Sequence, residues 1–239
     1  MKKMKNKKLI ILILILLIIL FNLIFYSCTY FSFSKKLSNE KDLALYIDKY
    51  PILGFLYIEK INIKKALLTI KNSTQSYPLI NLTGSICLNQ KIFLEGTTQV
   101  GSTALPLFKV DYDYSSHSGF IDYIMTGEKF EISSESLKIS KSLLNYFEKN
   151  IFLFLLLLKN NVIPNYKNGE FIIEDLNFLI EDYKIIKAEI DSQILKFKVE
   201  YSNYKKWNDV YYPSILHFYF MDYDIKILIL DVEFILSFH

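Results

Sequence analysis

The chain has 239 residues, 51% of them hydrophobic, with 28 lysines, no arginine and 25 acidic residues, for a nominal charge of +3. Five lysines (Lys2, Lys3, Lys5, Lys7 and Lys8) crowd the N-terminus, so the remainder sets 23 lysines against 25 carboxylates and is about −2. That balance excludes a nucleic-acid binder, which needs a cationic face, and the lack of arginine excludes forked guanidinium recognition of phosphate.

Residues 1–28 have the parts of an export signal: the lysine cluster, an apolar run from Leu9 to Tyr26, and Ser27-Cys28. Such a segment is read by the export machinery and does not belong to the fold. The run of about 18 residues also approaches the length that crosses a bilayer, so an uncleaved helix anchor is the alternative. The small residue and Cys28 after the run resemble a bacterial lipoprotein signal, which implies that Cys28 is lipidated and becomes the mature N-terminus. Either anchor holds the domain on a membrane outside the cytoplasm. Beyond Cys28 only Cys87 is left, which excludes a disulfide framework in the mature monomer.

Residues 29–41 are polar and read as a tether, and residues 42–239 as one domain. Asp42–Ile58 and Ile61–Ile70 show loose helical spacing, so 42–78 is expected to be a helical lead-in. From Leu82 the apolar period becomes two. "KIFLEGTTQV" reads as a strand, and "LPLFKVDYDY" places Pro106, Phe108, Val110, Tyr112 and Tyr114 on one face against Lys109, Asp111 and Asp113. "GFIDYIM" continues an antiparallel meander with one wet face. Ser140–Asn160 reads as a helix containing the eight apolar residues Ile151–Leu158, too few to span a bilayer. Strands return at "YKIIKAEI", at "QILKFKVEY" with Phe197 and Val199 facing one way, at Tyr211–Phe220, and at "IKILILDVEFIL". The expected fold is mainly β (α+β): a curved antiparallel sheet around helical elements, preceded by helices.

Enzymatic readings lack support. Cys87 has no histidine or orienting carboxylate nearby in sequence, and His117, His217 and His239 show no metal-ligand spacing. Asp111 and Asp113 could hold a cation weakly, but a solvated strand face is the plainer reading. Neither a phosphate loop nor a nucleophile elbow occurs. No enzyme, metal or cofactor is expected.

The closing stretch has a recognisable shape. Val199-Glu200-Tyr201-Ser202-Asn203-Tyr204 is followed by a polar turn at Lys205–Asp209, then Tyr212-Pro213, then a final apolar strand Ile225–Leu236. With the preceding meander and helix, this order resembles the LolA/LolB-type lipoprotein-sorting family from about Leu82 onward. The resemblance implies an open half-barrel with a helical plug, whose concave face takes acyl chains. Cys28 implies the LolB-like, membrane-anchored side of the family, at the outer membrane. Candidate acyl-binding residues are Phe108, Val110, Tyr112, Leu155, Phe197, Val199 and Phe218. Leu105 and Leu107, in the segment Gly101–Leu107, are candidates for a protruding apolar delivery loop, against a plain hairpin turn. Two departures stand out: residues 29–78 are long for such a family, and the delivery loop has no firm match. Implied partners are membrane lipid and acylated lipoproteins or a periplasmic carrier protein, with the chain itself a monomer. The competing reading is a structural or partner-binding lipoprotein whose aromatics fill an ordinary core.

Overall fold

Antiparallel pairing joins twelve strands into a single sheet with the order β6-β5-β4-β3-β2-β1-β12-β11-β10-β9-β8-β7. The computed structural model describes residues 49–137, 141–159, 161, 163–164, 167–191, 196–208, 210–220 and 222–237. The signal with Cys28, the tether, His239 and residues 42–48 of the lead-in lie outside them. The compact unit spans 47–239 and contains every strand of the described residues and their core, the makings of a domain.

Two meanders share one seam. The first runs through β2 (Ile80–Cys87), β3 (Lys91–Val100), β4 (Thr103–Asp113), β5 (Ser118–Tyr123) and β6 (Glu128–Ile132). The second runs through β7 (Gly169–Ile173), β8 (Leu176–Glu181), β9 (Lys184–Asp191), β10 (Lys196–Trp207), β11 (Val210–Phe220) and β12 (Tyr223–Leu236). The first strand, β1 (Ile58–Lys71), pairs with the last, from Ile58↔Leu236 to Lys71↔Asp224, and joins the halves. The edges, β6 and β7, are five residues each. On β6 the charges of Glu128, Lys129 and Glu131 discourage pairing with another chain.

The helical reading of Ile61–Ile70 is overturned, because these residues are β1. Its buried positions are Ile58, Ile61, Ile63, Ala66 and Leu68, spaced three, two, three and two apart. Bulges after Ile58 and around Lys65 insert the extra residues, so a bulged strand imitates helical spacing. Of the lead-in, the described residues show Lys49 in helical conformation and a 3-10 turn at Pro51–Leu56, with Ile52, Leu53 and Phe55 fully buried.

The helix α1 spans Lys141–Phe154 and stops short of the expected Asn160. Leu156 adopts φ 56°, its N–H donates to Leu153 O at 3.0 Å, and the Leu157 N–H donates to Phe152 O at 3.0 Å. This is a Schellman ending, with leucine where glycine is usual. Leu156, Leu157 and Leu158 then turn into the core and are at most 1% exposed.

Contacts of α1 require the sheet to curve. Tyr112 of β4 reaches Glu148, while Tyr201 of β10 reaches the Phe154 carbonyl. β4 and β10 are six strand-to-strand steps apart, about 29 Å in a flat sheet at ~4.8 Å per step. Glu148 and Phe154 are separated by only about 9 Å of helix. The sheet therefore curls around α1, as the open half-barrel reading expects, and β6 and β7 stay unpaired to each other. Bulges in β1 and β4 assist the bend. So does Gly84, where φ is 147° and a Cβ would fall 2.1 Å from Phe93 O.

The hairpin β7–β8 has no counterpart in the sequence reading. Its turn at Glu174 (φ 55°) and Asp175 lacks the glycine or asparagine that signals one, and so does the turn at Asp182 (φ 49°) and Tyr183 (φ 59°) after β8. The expected turn Lys205–Asp209 is also shorter. Lys205 and Lys206 pair with Tyr212 and Tyr211, and Trp207↔Val210 closes the hairpin.

Candidate functional site

The concave side divides into a filled half and an open half. Beneath β8–β10, the residues Phe178, Ile180, Ile185, Ala188 and Val199 are 0% exposed, and the 3-10 turn packs on β9 and β11. Phe171 stacks on Phe178 at 4.9 Å, and Phe55 meets Tyr212 edge-on at 6.1 Å.

Two tyrosines bind this half to α1. The Tyr201 hydroxyl donates to Phe154 O at 2.8 Å and the Tyr212 hydroxyl to Leu155 O at 2.7 Å. They satisfy carbonyls at the helix end that would otherwise be buried without partners. Tyr204 donates to Ile185 O at 2.5 Å. Burial holds all three phenols well above their usual pKa near 10. Within the Tyr-x-x-Tyr pattern, Tyr201 thus fastens the helix end and Tyr204 fastens β9.

Between α1 and the middle strands lies a cavity of about 360 Å³. β1 and β2 contribute Ile61, Ile63, Leu82 and Ile86; β3 and β4 contribute Ile92, Leu94, Val110 and Tyr112. β11 and β12 add Leu216, Phe218, Ile227 and Ile229, and the α1 segment closes the space with Leu144, Glu148, Ile151 and Leu155. Its volume falls in the roughly 300–1,000 Å³ range of small-ligand sites. The lining is almost wholly hydrocarbon because strand alternation turns every second side chain inward.

Of the sequence candidates, the structure brings Val110, Tyr112, Leu155 and Phe218 together at this cavity. It does not bring the others. Phe108 lies over Gly96 of β3, whose Cβ would fall 2.4 Å from the Phe108 ring. Phe197 packs against Phe154 at 4.3 Å and Phe220 at 5.7 Å, and Val199 belongs to the filled core. Leu105 and Leu107 are in β4, the former opposite Thr98, so the segment is a plain hairpin turning at Gly101-Ser102.

One carboxylate that the sequence reading missed faces the cavity. Glu148 is 8% exposed; it accepts the Tyr112 hydroxyl on Oε1 and stands 2.8 Å from His117 Nδ1 on Oε2. Burial, then the bond to Glu148, raises the Tyr112 pKa. Burial also raises that of Tyr114, with the Glu148 charge adding. His117 is presented by the β4–β5 turn, where Asp113 Oδ1 accepts the Ser115 N–H at 2.7 Å and hydroxyl at 2.6 Å. These bonds hold the Asp113 carboxyl below its usual pKa. Only helical periodicity on α1, placing Glu148 one turn from Leu144 and near Ile151, could have pointed to it.

Cys87, Asp111 and His217 have structural partners. Cys87 Sγ lies 3.2 Å from Gln90 Oε1, and burial raises its thiol pKa. Asp111 pairs with Lys91 at 2.9 Å. On the outer face His217 Nε2 meets Asp224 at 2.6 Å, and Tyr219 bridges His217 Nδ1 and Glu200.

No protein-family model matches this sequence, and none of the curated proteins does. Among solved structures the chain is similar to a putative outer membrane lipoprotein-sorting protein domain from Vibrio parahaemolyticus, at 11% identity and a TM-score of 0.43, covering 73% of this chain and 84% of that one. It is also similar to a LolA superfamily protein from Nitrosomonas europaea, at 10% identity and a TM-score of 0.43, covering 78% and 90%. A DUF1329 family protein from Desulfovibrio piger gives 9% identity, a TM-score of 0.43, and coverage of 81% and 90%.

Proposed function

We propose that this chain binds acyl chains of lipids or lipoproteins in the cavity beneath α1 and assists their localisation, while tethered outside the cytoplasm through lipidated Cys28, at the outer membrane. The supporting observation is the hydrocarbon-lined space of about 360 Å³ between the sheet and the helix. A site that binds by apolar burial gains about 0.8 kcal/mol for each methylene it removes from water, with no need for a rigid ligand shape. α1 is suited to act as the movable wall. It is amphipathic, and residues near the end of β4 hold it to the first meander: Tyr112 and His117 at Glu148, and Tyr114 against Phe152 at 4.4 Å.

Lipid mass spectrometry of the purified 29–239 chain, with displacement of a fluorescent fatty alcohol, tests the reading. Co-purifying acyl lipid and saturable uptake of the probe are expected. A lipid-free protein that takes up no probe would overturn it and leave a lipoprotein with an ordinary partner-binding role.

A further inference from the structure

The apolar cavity is continuous in its lining with a second, polar space. Leu144 borders both. The second space measures about 430 Å³ and is lined by Glu131, Glu135, Asn145, His117 and a group of serines, with no lysine among its described residues. The Glu148–His117 pair stands at the junction, since Glu148 lines the first space and His117 the second.

We propose that the site selects amphiphiles whose head group carries N–H or O–H donors and no negative charge, and that Glu148 is the residue that selects them. This rests on the acyl-binding reading above and deepens it. A carboxylate offers about four acceptor positions. Tyr112 and His117 take one on each oxygen, which leaves one on each for a ligand. A buried acceptor of this kind favours a head group that can donate and penalises one that offers only acceptors. Charge acts in the same direction. Among the described lining residues Glu131, Glu135 and Glu148 outnumber His117 even when the imidazole is protonated, and none of them is a lysine that would meet a ligand carboxylate or phosphate. Repulsion between like charges a few ångströms apart is strong where water is largely excluded, as at the 8% exposed Glu148. Tail and head would thus be recognised by adjoining spaces, hydrocarbon in one and hydrogen-bond acceptors in the other.

The test uses the 29–239 chain and three single-chain ligands that compete with a neutral pyrenyl-alkanol: monopalmitin, hexadecylamine and palmitate. Monopalmitin and hexadecylamine should displace the probe about tenfold or more tightly than palmitate, and Glu148→Gln should largely erase the difference. Monopalmitin separates hydroxyl recognition from the cation preference that hexadecylamine reports. Should Glu148→Gln fail to fold, the double change Glu131→Gln and Glu135→Gln at the exposed rim should narrow the gap in part, and the ranking on the unaltered chain stands regardless. Palmitate equal to or tighter than monopalmitin, with the probe still bound, would overturn the inference and leave acyl binding intact. No uptake of the probe would overturn the acyl reading and this one with it.

Discussion

The Tyr201 hydroxyl donates to the Phe154 carbonyl across 47 residues of sequence, at 2.8 Å and inside the core. This bond ties the last turn of α1 to a strand in the second meander, and Tyr212 repeats it at Leu155. Removing one hydroxyl leaves a buried carbonyl without its partner, at a cost of about 1–3 kcal/mol. Tyr201→Phe should therefore lower stability by that amount in urea melts while the sheet signal is retained. A change within error would mean that water or relaxation replaces the bond.

Phe197 and Val110 should respond in opposite ways. Phe197 packs among Phe154, Phe218 and Phe220, so Phe197→Ala should cost about 3 kcal/mol of stability, the low end for Phe→Ala because the ring is partly exposed. Val110 faces open space, so Val110→Phe should cost about 1 kcal/mol or less yet displace an acyl probe. Paired melts and probe titrations decide this; a Val110→Phe protein that binds the probe unchanged would put the ligand elsewhere.

Leu156 sets a backbone preference against burial. Its left-handed conformation costs about 1 kcal/mol that glycine would not. Its side chain is 0% exposed, and deleting it should cost about 2–5 kcal/mol. Leu156→Gly is expected to be net destabilising by about 1–4 kcal/mol. A stabilised variant in thermal melts would show that the leucine is poorly packed.

Alkali should unfold the protein by a defined route. Burial raises the pKa values of Tyr201, Tyr204 and Tyr212 above the usual value near 10. A raised pKa in the folded state makes the neutral phenol a source of stability, fully present below pH 10 and lost progressively above it as the unfolded chain releases protons first. Tyrosinate absorbance and circular dichroism followed together should show part of the phenolate signal appearing only as the sheet is lost. Complete ionisation with the sheet intact would contradict the burial.

Cys28 carries the anchoring proposal. Cys28→Ser should abolish incorporation of an alkynyl palmitate label and leave an unprocessed precursor on a gel. Undiminished labelling would favour the helix anchor formed by the apolar run.

Sequence alone determined the antiparallel β class and the extents of β3 and β12 to within two residues. Period-two alternation is a local property of a half-buried strand, so it can be read from the strand's own residues. Where local rules bend, the reading failed. Bulges gave β1 helical spacing, the turns after β7 and β8 use Glu174, Asp175, Asp182 and Tyr183 in place of glycine or asparagine, and a Schellman ending cut α1 at Phe154. The division of the concave face into a filled and an open half was beyond local reach altogether. Phe197 and Phe218 carry the same ring on neighbouring strands, yet only Phe218 lines the cavity, because the path of α1 decides which inward side chains it covers closely. Glu148 was hidden for the same reason: its meaning depends on Tyr112 and His117, 36 and 31 residues away, which only the curl of the sheet brings to it.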